Sequence, residues 1–189
     1  MTTDAGPREI EAKFRLRDRV AFEEALRARG AAPGPRLFEA NVLLDDDLLS
    51  LRGRGMALRV RSVGDGGLLT LKGPAEMRTG LKVRLELESG VDDPPAVEAV
   101  LARLGYTPRI RYEKWRTEWR FADPARPLVL VDETPLGLFA EVEGEEEAVR
   151  ALVDELGVGP SELIQLSYVA LWEAARREDP SLPADMVFA

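Results

Sequence analysis

Fully charged residues alternate with apolar ones at a spacing of two along six separate segments of this 189-residue chain. A strand sends residues i, i+2 and i+4 to one face, so each segment predicts a strand with one charged and one apolar side. Glu9, Glu11 and Lys13 oppose Ile10, Ala12 and Phe14, and Arg59 and Arg61 oppose Leu58 and Val60. Thr70 and Lys72 oppose Leu69 and Leu71, and Lys82, Arg84, Glu86 and Glu88 oppose Val83, Leu85 and Leu87. Lys114, Arg116, Glu118 and Arg120 oppose Trp115, Thr117, Trp119 and Phe121, and Glu141 and Glu143 oppose Ala140 and Val142. On one strand this pattern describes an ordinary antiparallel sheet with a solvated face. Across six strands, with few Ser, Thr or Gln and with acids and bases grouped by strand, it favours a different arrangement.

That arrangement is a sheet closed with its charged face inward and its apolar face covered by helices. Seven acids (Glu9, Glu11, Glu86, Glu88, Asp132, Glu141, Glu143) and seven bases (Lys13, Arg59, Arg61, Lys72, Arg84, Lys114, Arg116) then share the interior. Enclosed charges are costly unless paired or liganded. A polyanion with divalent cations matches both sets, the bases taking phosphate oxygens and the acids taking metal.

Composition narrows the chemistry. Hydrophobic residues at 45% and charged residues at 32% indicate a globular chain, and the net charge of −8 argues against a nucleic-acid partner held by a broad basic surface. The chain has neither cysteine nor histidine. Disulfides and thiolate chemistry are thereby excluded, and a metal must be held by oxygen, which favours the hard cations Mg²⁺, Mn²⁺ or Ca²⁺. The start lacks a signal-peptide pattern and no apolar run suits a membrane span, so the expectation is a soluble, cytoplasmic protein without a membrane partner. Helices are expected over 18–30, 94–105, 145–157 and 161–177, strands over 8–16, 38–44, 56–62, 68–74, 81–89, 112–121, 128–133 and 137–144, and a loosely held tail after Asp179. One domain over 1–189 is the simplest organisation; the oligomeric state is open, a homodimer being one option.

The motifs resemble, in order, those of the CYTH superfamily, the triphosphate tunnel metalloenzymes. They are the ExExK of Glu9, Glu11 and Lys13, then ALRVR (57–61), LTLKGP (69–74), VRLELE (83–88), YEKWR (112–116), LVDETPLGLFAEVEG (130–144) and LSYVAL (166–171). The resemblance spans about residues 8–172. It implies an α+β fold, a closed eight-stranded antiparallel β-barrel with helices packed outside. It implies metal on Glu9, Glu11, Glu141 and Glu143, assisted by Asp132 and by Glu86 or Glu88. It implies Lys13, Arg59, Arg61, Lys72, Arg84 and Arg116 on phosphate oxygens. Lys114 joins these bases by its place on the charged face, and Lys72, Glu9 and Glu11 are the candidate catalytic residues.

The activity implied is metal-dependent hydrolysis of inorganic triphosphate, thiamine triphosphate or ATP. The alternatives are a class IV adenylate cyclase and a non-catalytic module binding polyphosphate or nucleotide. The loop matching the tyrosine of animal thiamine triphosphatases, NVLLDDD (41–47), has no tyrosine, and Leu37-Phe38 stands where bacterial cyclases carry His-Phe. Trp115, Trp119 and Trp172 read as packing residues, Asp45 to Asp47 as a solvated turn, and Lys82, Glu118, Arg120, Arg176 and Arg177 as exposed. Tyr168 is open between touching ligand and capping the core.

Overall fold

The alternating segments form strands, and the strands close into a ring. A computed structural model describes residues 6–189. Its strands are β1 (Arg8–Arg15), β2 (Ala31–Asp45), β3 (Ala57–Val63), β4 (Gly66–Lys72), β5 (Glu76–Arg78), β6 (Leu81–Val91), β7 (Thr107–Phe121), β8 (Leu128–Thr134) and β9 (Gly137–Glu143). They make one antiparallel sheet in the order β1-β9-β8-β7-β2-β3-β4-β6, with β5 added at the edge of β6. β1 pairs with β6 as well as β9, with Glu9 opposite Arg84 and Glu11 opposite Lys82, and this second pairing closes the eight-stranded barrel. Closure removes the unpaired edges that an open sheet would present. The β3–β4 hairpin turns through Gly64-Asp65, and Gly64 has φ 58, which suits the primed turns that tight hairpins use.

The outward face is apolar, as the alternation demands, and helices cover it. Helices α1 (Arg19–Ala28) and α4 (Glu146–Glu155) place Leu26, Val149 and Leu152 against Ala12, Phe14, Val129, Val131, Ala140 and Val142. Asp18 caps α1 by accepting the Ala21 N–H at 3.1 Å. Helix α3 (Pro94–Arg103), capped by Asp93, sets Val97 and Leu101 on Val42, Leu44 and Val60. A one-turn helix, α2 (Ser50–Gly53), follows β2. It is held by Asp45, whose carboxylate accepts N–H groups from Asp46, Leu51 and Arg52. The expected solvated Asp turn is thus partly buried: Asp45 is a cap, while Asp46 and Asp47 stay outside.

Helix α5 (Tyr168–Glu178) plugs one end of the barrel. Tyr168 and Trp172 pack on Phe139 and Tyr112, which share the inward parity of Glu141 and Lys114. The sequence predicts one helix over 161–177; the structure breaks it. A 3₁₀ turn, Pro160–Glu162, is followed by extended chain in which the Ile164 N–H donates to the Lys13 carbonyl at 2.7 Å. The helix starts only where Ser167 can accept the Ala170 N–H. Apolar periodicity continues through this segment, but the cap decides the start. β2 and β7 each begin before their expected starts, extending past the charged alternation as paired arms.

The tail also differs from its expectation. Met186 is fully buried; its N–H donates to the Arg111 carbonyl and its carbonyl accepts from Glu113, so it pairs alongside β7. The Trp172 indole donates to the Pro183 carbonyl, and the Phe188 N–H to the Glu113 carboxylate. Two prolines prevent helix and strand here without preventing docking. Met186→Ala should therefore cost about 2–5 kcal/mol in urea unfolding; a change near zero would show that the tail's packing does not contribute.

Candidate functional site

The inward faces of the barrel enclose a cavity of about 270 Å³ lined almost wholly by charge. β1 supplies Glu9, Glu11 and Lys13, and its neighbour β9 supplies Glu141 and Glu143. β3 gives Arg59 and Arg61, β4 gives Lys72, β6 gives Lys82, Arg84, Glu86 and Glu88, and β7 gives Lys114, Arg116 and Glu118. Thus thirteen of the fourteen expected interior charges line one chamber. Asp132 does not line it; it faces the barrel interior at the strand parity of Leu128 and Leu130, fully buried against Lys114, Arg116 and Tyr168.

The acids and bases are paired with one another. Lys72 lies 3.0 Å from both Glu9 and Glu86, and Arg84 donates to Glu9 at 3.0 Å. Lys13 pairs with Glu141 at 3.0 Å, and Arg116 bridges Glu141 and Asp132. Arg59 lies 3.6 Å from Glu88 and donates to Thr70 at 3.2 Å. Burial by itself would raise the Glu9 carboxyl, but Lys72 and Arg84 outweigh it and hold the group well below the usual range. Glu141 behaves likewise under Lys13 and Arg116. Burial would lower the Lys13 ammonium, yet Glu141 and Glu11 keep it raised.

Asp132, expected to assist a metal, is surrounded by donors. Its carboxylate accepts from Lys114 at 3.0 Å, from Arg116 at 2.6 and 2.7 Å, and from the Tyr168 hydroxyl at 2.9 Å. The ring of Tyr168 also lies 4.3 Å from the Lys13 ammonium. Tyr168 caps the core at the barrel end, and its hydroxyl also joins the charge network.

Four contributors escape the sequence reading. Lys82, expected to be exposed near a strand end, is buried and donates to Glu11 at 2.8 Å. Glu39 accepts from Arg61 at 3.1 Å and lies 3.4 Å from Lys114, and these cations bring its carboxyl down to about 2 against the opposing effect of burial. Asn41 accepts from Arg61 Nε at 3.0 Å. The Tyr112 hydroxyl accepts from Arg59 at 3.3 Å. Glu39 and Asn41 lie two apart on β2, opposite Val63 and Arg61 of β3, and only that spacing hinted at a shared inward face. Glu118 reaches the chamber rim and Arg120 stays outside, as expected of strand ends. Trp119 and Trp172 are buried packing residues, and Trp115 lies on the outer face against Phe38.

The carboxylates of Glu9, Glu11 and Glu143 come within 4.8 Å of one another. Glu11 and Glu143 are directly opposite in the β1–β9 register, a pairing that like charges disfavour. Burial, with Glu141, Glu9 and Glu11 adding repulsion, pushes the Glu143 carboxyl up to about 8. Native Glu143 therefore holds a proton that the unfolded chain releases, so raising the pH from the ordinary Glu range through 8 favours unfolding. Without metal, Glu143→Gln should be more stable than wild type by about 1–3 kcal/mol near pH 9, with the gap closing by about pH 5. Urea unfolding in chelator checks this; a gap independent of pH would contradict it.

The sequence matches the CYTH domain model over residues 7–161. No curated protein matches the chain. Among solved structures, an adenylate cyclase candidate from Vibrio parahaemolyticus superposes with a TM-score of 0.75 at 19% identity, covering 89% of this chain and 99% of that one. The PH1819 protein from Pyrococcus horikoshii gives 0.72 at 23% identity, over 89% and 99%. An adenylyl cyclase candidate from Hippeastrum, described as having a dominant triphosphatase activity, gives 0.71 at 19%, over 93% and 98%. At such identities the likeness is one of fold, and with the family model covering most of the chain, the protein belongs to the CYTH domain family.

Proposed function

We propose that this protein is a divalent-metal-dependent triphosphatase acting on a triphosphate held in the barrel. The observation that carries the proposal is the division of the chamber: three converging carboxylates on β1 and β9, and a bank of Lys and Arg on β3, β4, β6 and β7. Glu9, Glu11 and Glu143 fit a hard cation, because they offer only oxygen donors and their mutual repulsion is relieved by a cation between them. Mg²⁺ or Mn²⁺ bound there would neutralise phosphate charge and make a bound water more acidic.

The residues of the chain divide the remaining work. Arg59, Arg61, Lys72, Arg84 and Arg116 line the same chamber and would exchange their carboxylate partners for phosphate oxygens. Their charge then offsets what accumulates on the transferring phosphoryl group. Lys72 bridges Glu9 and Glu86 and so stands between the acidic cluster and the basic bank. Glu141 and Asp132 hold Lys13, Lys114 and Arg116 in place, which makes Asp132 a positioning residue in this scheme. Glu86 and Glu88 position Lys72 and Arg59, at the wall that β4 and β6 share.

The description of the Hippeastrum relative, a cyclase candidate with dominant triphosphatase activity, supports hydrolysis over cyclisation. Incubation with tripolyphosphate, thiamine triphosphate and ATP, with Mg²⁺ or Mn²⁺, should release inorganic phosphate. Cyclic AMP with pyrophosphate would establish a cyclase instead, and binding without turnover a non-catalytic module. Glu9→Gln should lower kcat by about 10²–10³-fold with the fold retained by circular dichroism; unchanged turnover would contradict the assignment.

A further inference from the structure

We infer that the mouth of the barrel opposite α5 is the passage by which the divalent cation reaches and leaves its carboxylates, separate from the end at which the bases gather. The inference rests on the reading that Glu9, Glu11 and Glu143 hold that cation, and it concerns the path rather than the site. The α5 end is marked by Lys13, whose carbonyl accepts the Ile164 N–H at 2.7 Å and whose ammonium lies 4.3 Å from the Tyr168 ring. Going away from that end, β1 presents Lys13, then Glu11, then Glu9. β6 presents Lys82 and Arg84, then Glu86 and Glu88, and β7 presents Lys114 and Arg116, then Glu118. Three strands thus change from base to acid in the same direction along the barrel.

The far mouth opens directly on the acids. A hollow of about 540 Å³ shares Glu9, Glu86, Leu128 and Glu143 with the chamber, so two of the three clustered carboxylates line both. Exposed Glu145 lines the hollow as well. Its two cations have partners that do not line it: Arg8 lies 3.9 Å from Glu76, and Arg126 donates to Glu155 at 2.6 Å. A hydrated cation entering here meets carboxylate oxygen, the donor it takes as it sheds water. The frame is stiff. Pro7, Pro124 and Pro127 line the hollow, and proline fixes φ. The Pro7 carbonyl accepts the Glu86 N–H at 3.0 Å, and the Gly144 N–H donates to the Ile10 carbonyl at 3.2 Å. A side-chain carbon at Gly144 would come within 3.3 Å of the Pro127 Cα, so these two segments already touch. The passage is preformed and needs no lid to move.

The α5 end offers a cation no comparable path. Tyr168 and Trp172 are buried there, and the Tyr168 hydroxyl donates to Asp132 at 2.9 Å. Between α5 and the chamber lies a neck of about 110 Å³ whose charged residues are Arg59, Lys72 and Arg84. A divalent cation passing that way would meet three positive charges in a space shielded from bulk water, where their repulsion is strong.

The test follows Mn²⁺ on the intact protein in the absence of any phosphate. Release into excess chelator is timed by stopped flow with a metal-sensitive dye, and Kd is measured from the electron paramagnetic resonance of free Mn²⁺. Ala125→Trp narrows the hollow, Pro124→Trp narrows it from the next position should the first variant fold poorly, and Ala184→Trp obstructs the α5 end instead. All three positions are exposed. A narrowed passage slows entry and exit alike, so Ala125→Trp or Pro124→Trp should slow release by about tenfold or more while Kd stays within about twofold. Ala184→Trp should release Mn²⁺ at the wild-type rate. Unchanged release in both mouth variants, slowing confined to Ala184→Trp, or a change in Kd that accounts for the altered release overturns the passage. Failure of wild type to bind Mn²⁺, or binding that Glu9→Gln leaves unaffected, overturns instead the metal site on which the passage depends.

Discussion

Charge compensation inside a closed barrel governs the rest of this structure. Turning the polar face of an eight-stranded sheet inward removes many ionisable groups from bulk water at once, and an isolated charge in that position would be severely destabilising. The chain answers by matching its acids with its bases strand by strand. Lys72 lies between Glu9 and Glu86, Lys13 beside Glu141, Lys82 beside Glu11, and Arg116 between Glu141 and Asp132. Removing one member of such a pair leaves its partner buried and uncompensated, which is commonly worth about 3–5 kcal/mol. The same pairing prepares the chamber for ligand exchange: a polyanion can take over the bases while cations take over the acids, and the balance of charge is kept.

Compensation is incomplete at one place. Glu143 faces Glu11 across the β1–β9 register, and among the described residues it makes no ion pair. The proton that Glu143 keeps up to about pH 8 discharges this repulsion, which sits on the acidic side of the chamber. The basic side is held by a second layer, in which Asp132, Glu39, Asn41 and Tyr168 fix the guanidinium and ammonium groups from behind. α5 gives the chamber its polarity along the barrel axis. It closes one end with Tyr168 and Trp172 and places Ser167 at the edge of the charged interior.

Much of this was legible in the sequence because a strand's period of two leaves little freedom. Once Ala12 and Phe14 are outward, Glu9, Glu11 and Lys13 can only be inward, and the ordered motifs named the closed barrel. Three things were hidden for physical reasons. Glu39 and Asn41 alternate with small and apolar residues in a strand bearing few other charges, so their face was not marked. Lys82 sits near a strand end in sequence, but the β1–β6 pairing that closes the barrel covers that end, and closure is a non-local event. Asp132 carries the residue type of a metal ligand, but its sequence does not reveal the two cations and the phenol that surround it. Residue type alone cannot tell an acid that reaches the chamber from one buried against cations inside the barrel. The break before α5 and the docking of Met186 likewise depend on contacts with β1 and β7 that lie far away in the chain.

The central claim is that acids and bases exchange their mutual pairs for metal and phosphate within one chamber. A crystal structure with Mn²⁺ and tripolyphosphate, phased to locate manganese by its anomalous signal, tests it most directly. The account predicts a manganese peak among Glu9, Glu11 and Glu143, phosphate oxygens against Arg59, Arg61 and Arg84, and separation of Lys72 from Glu9. Manganese away from those carboxylates, or phosphate bound with the Lys72–Glu9 pair intact, would contradict it.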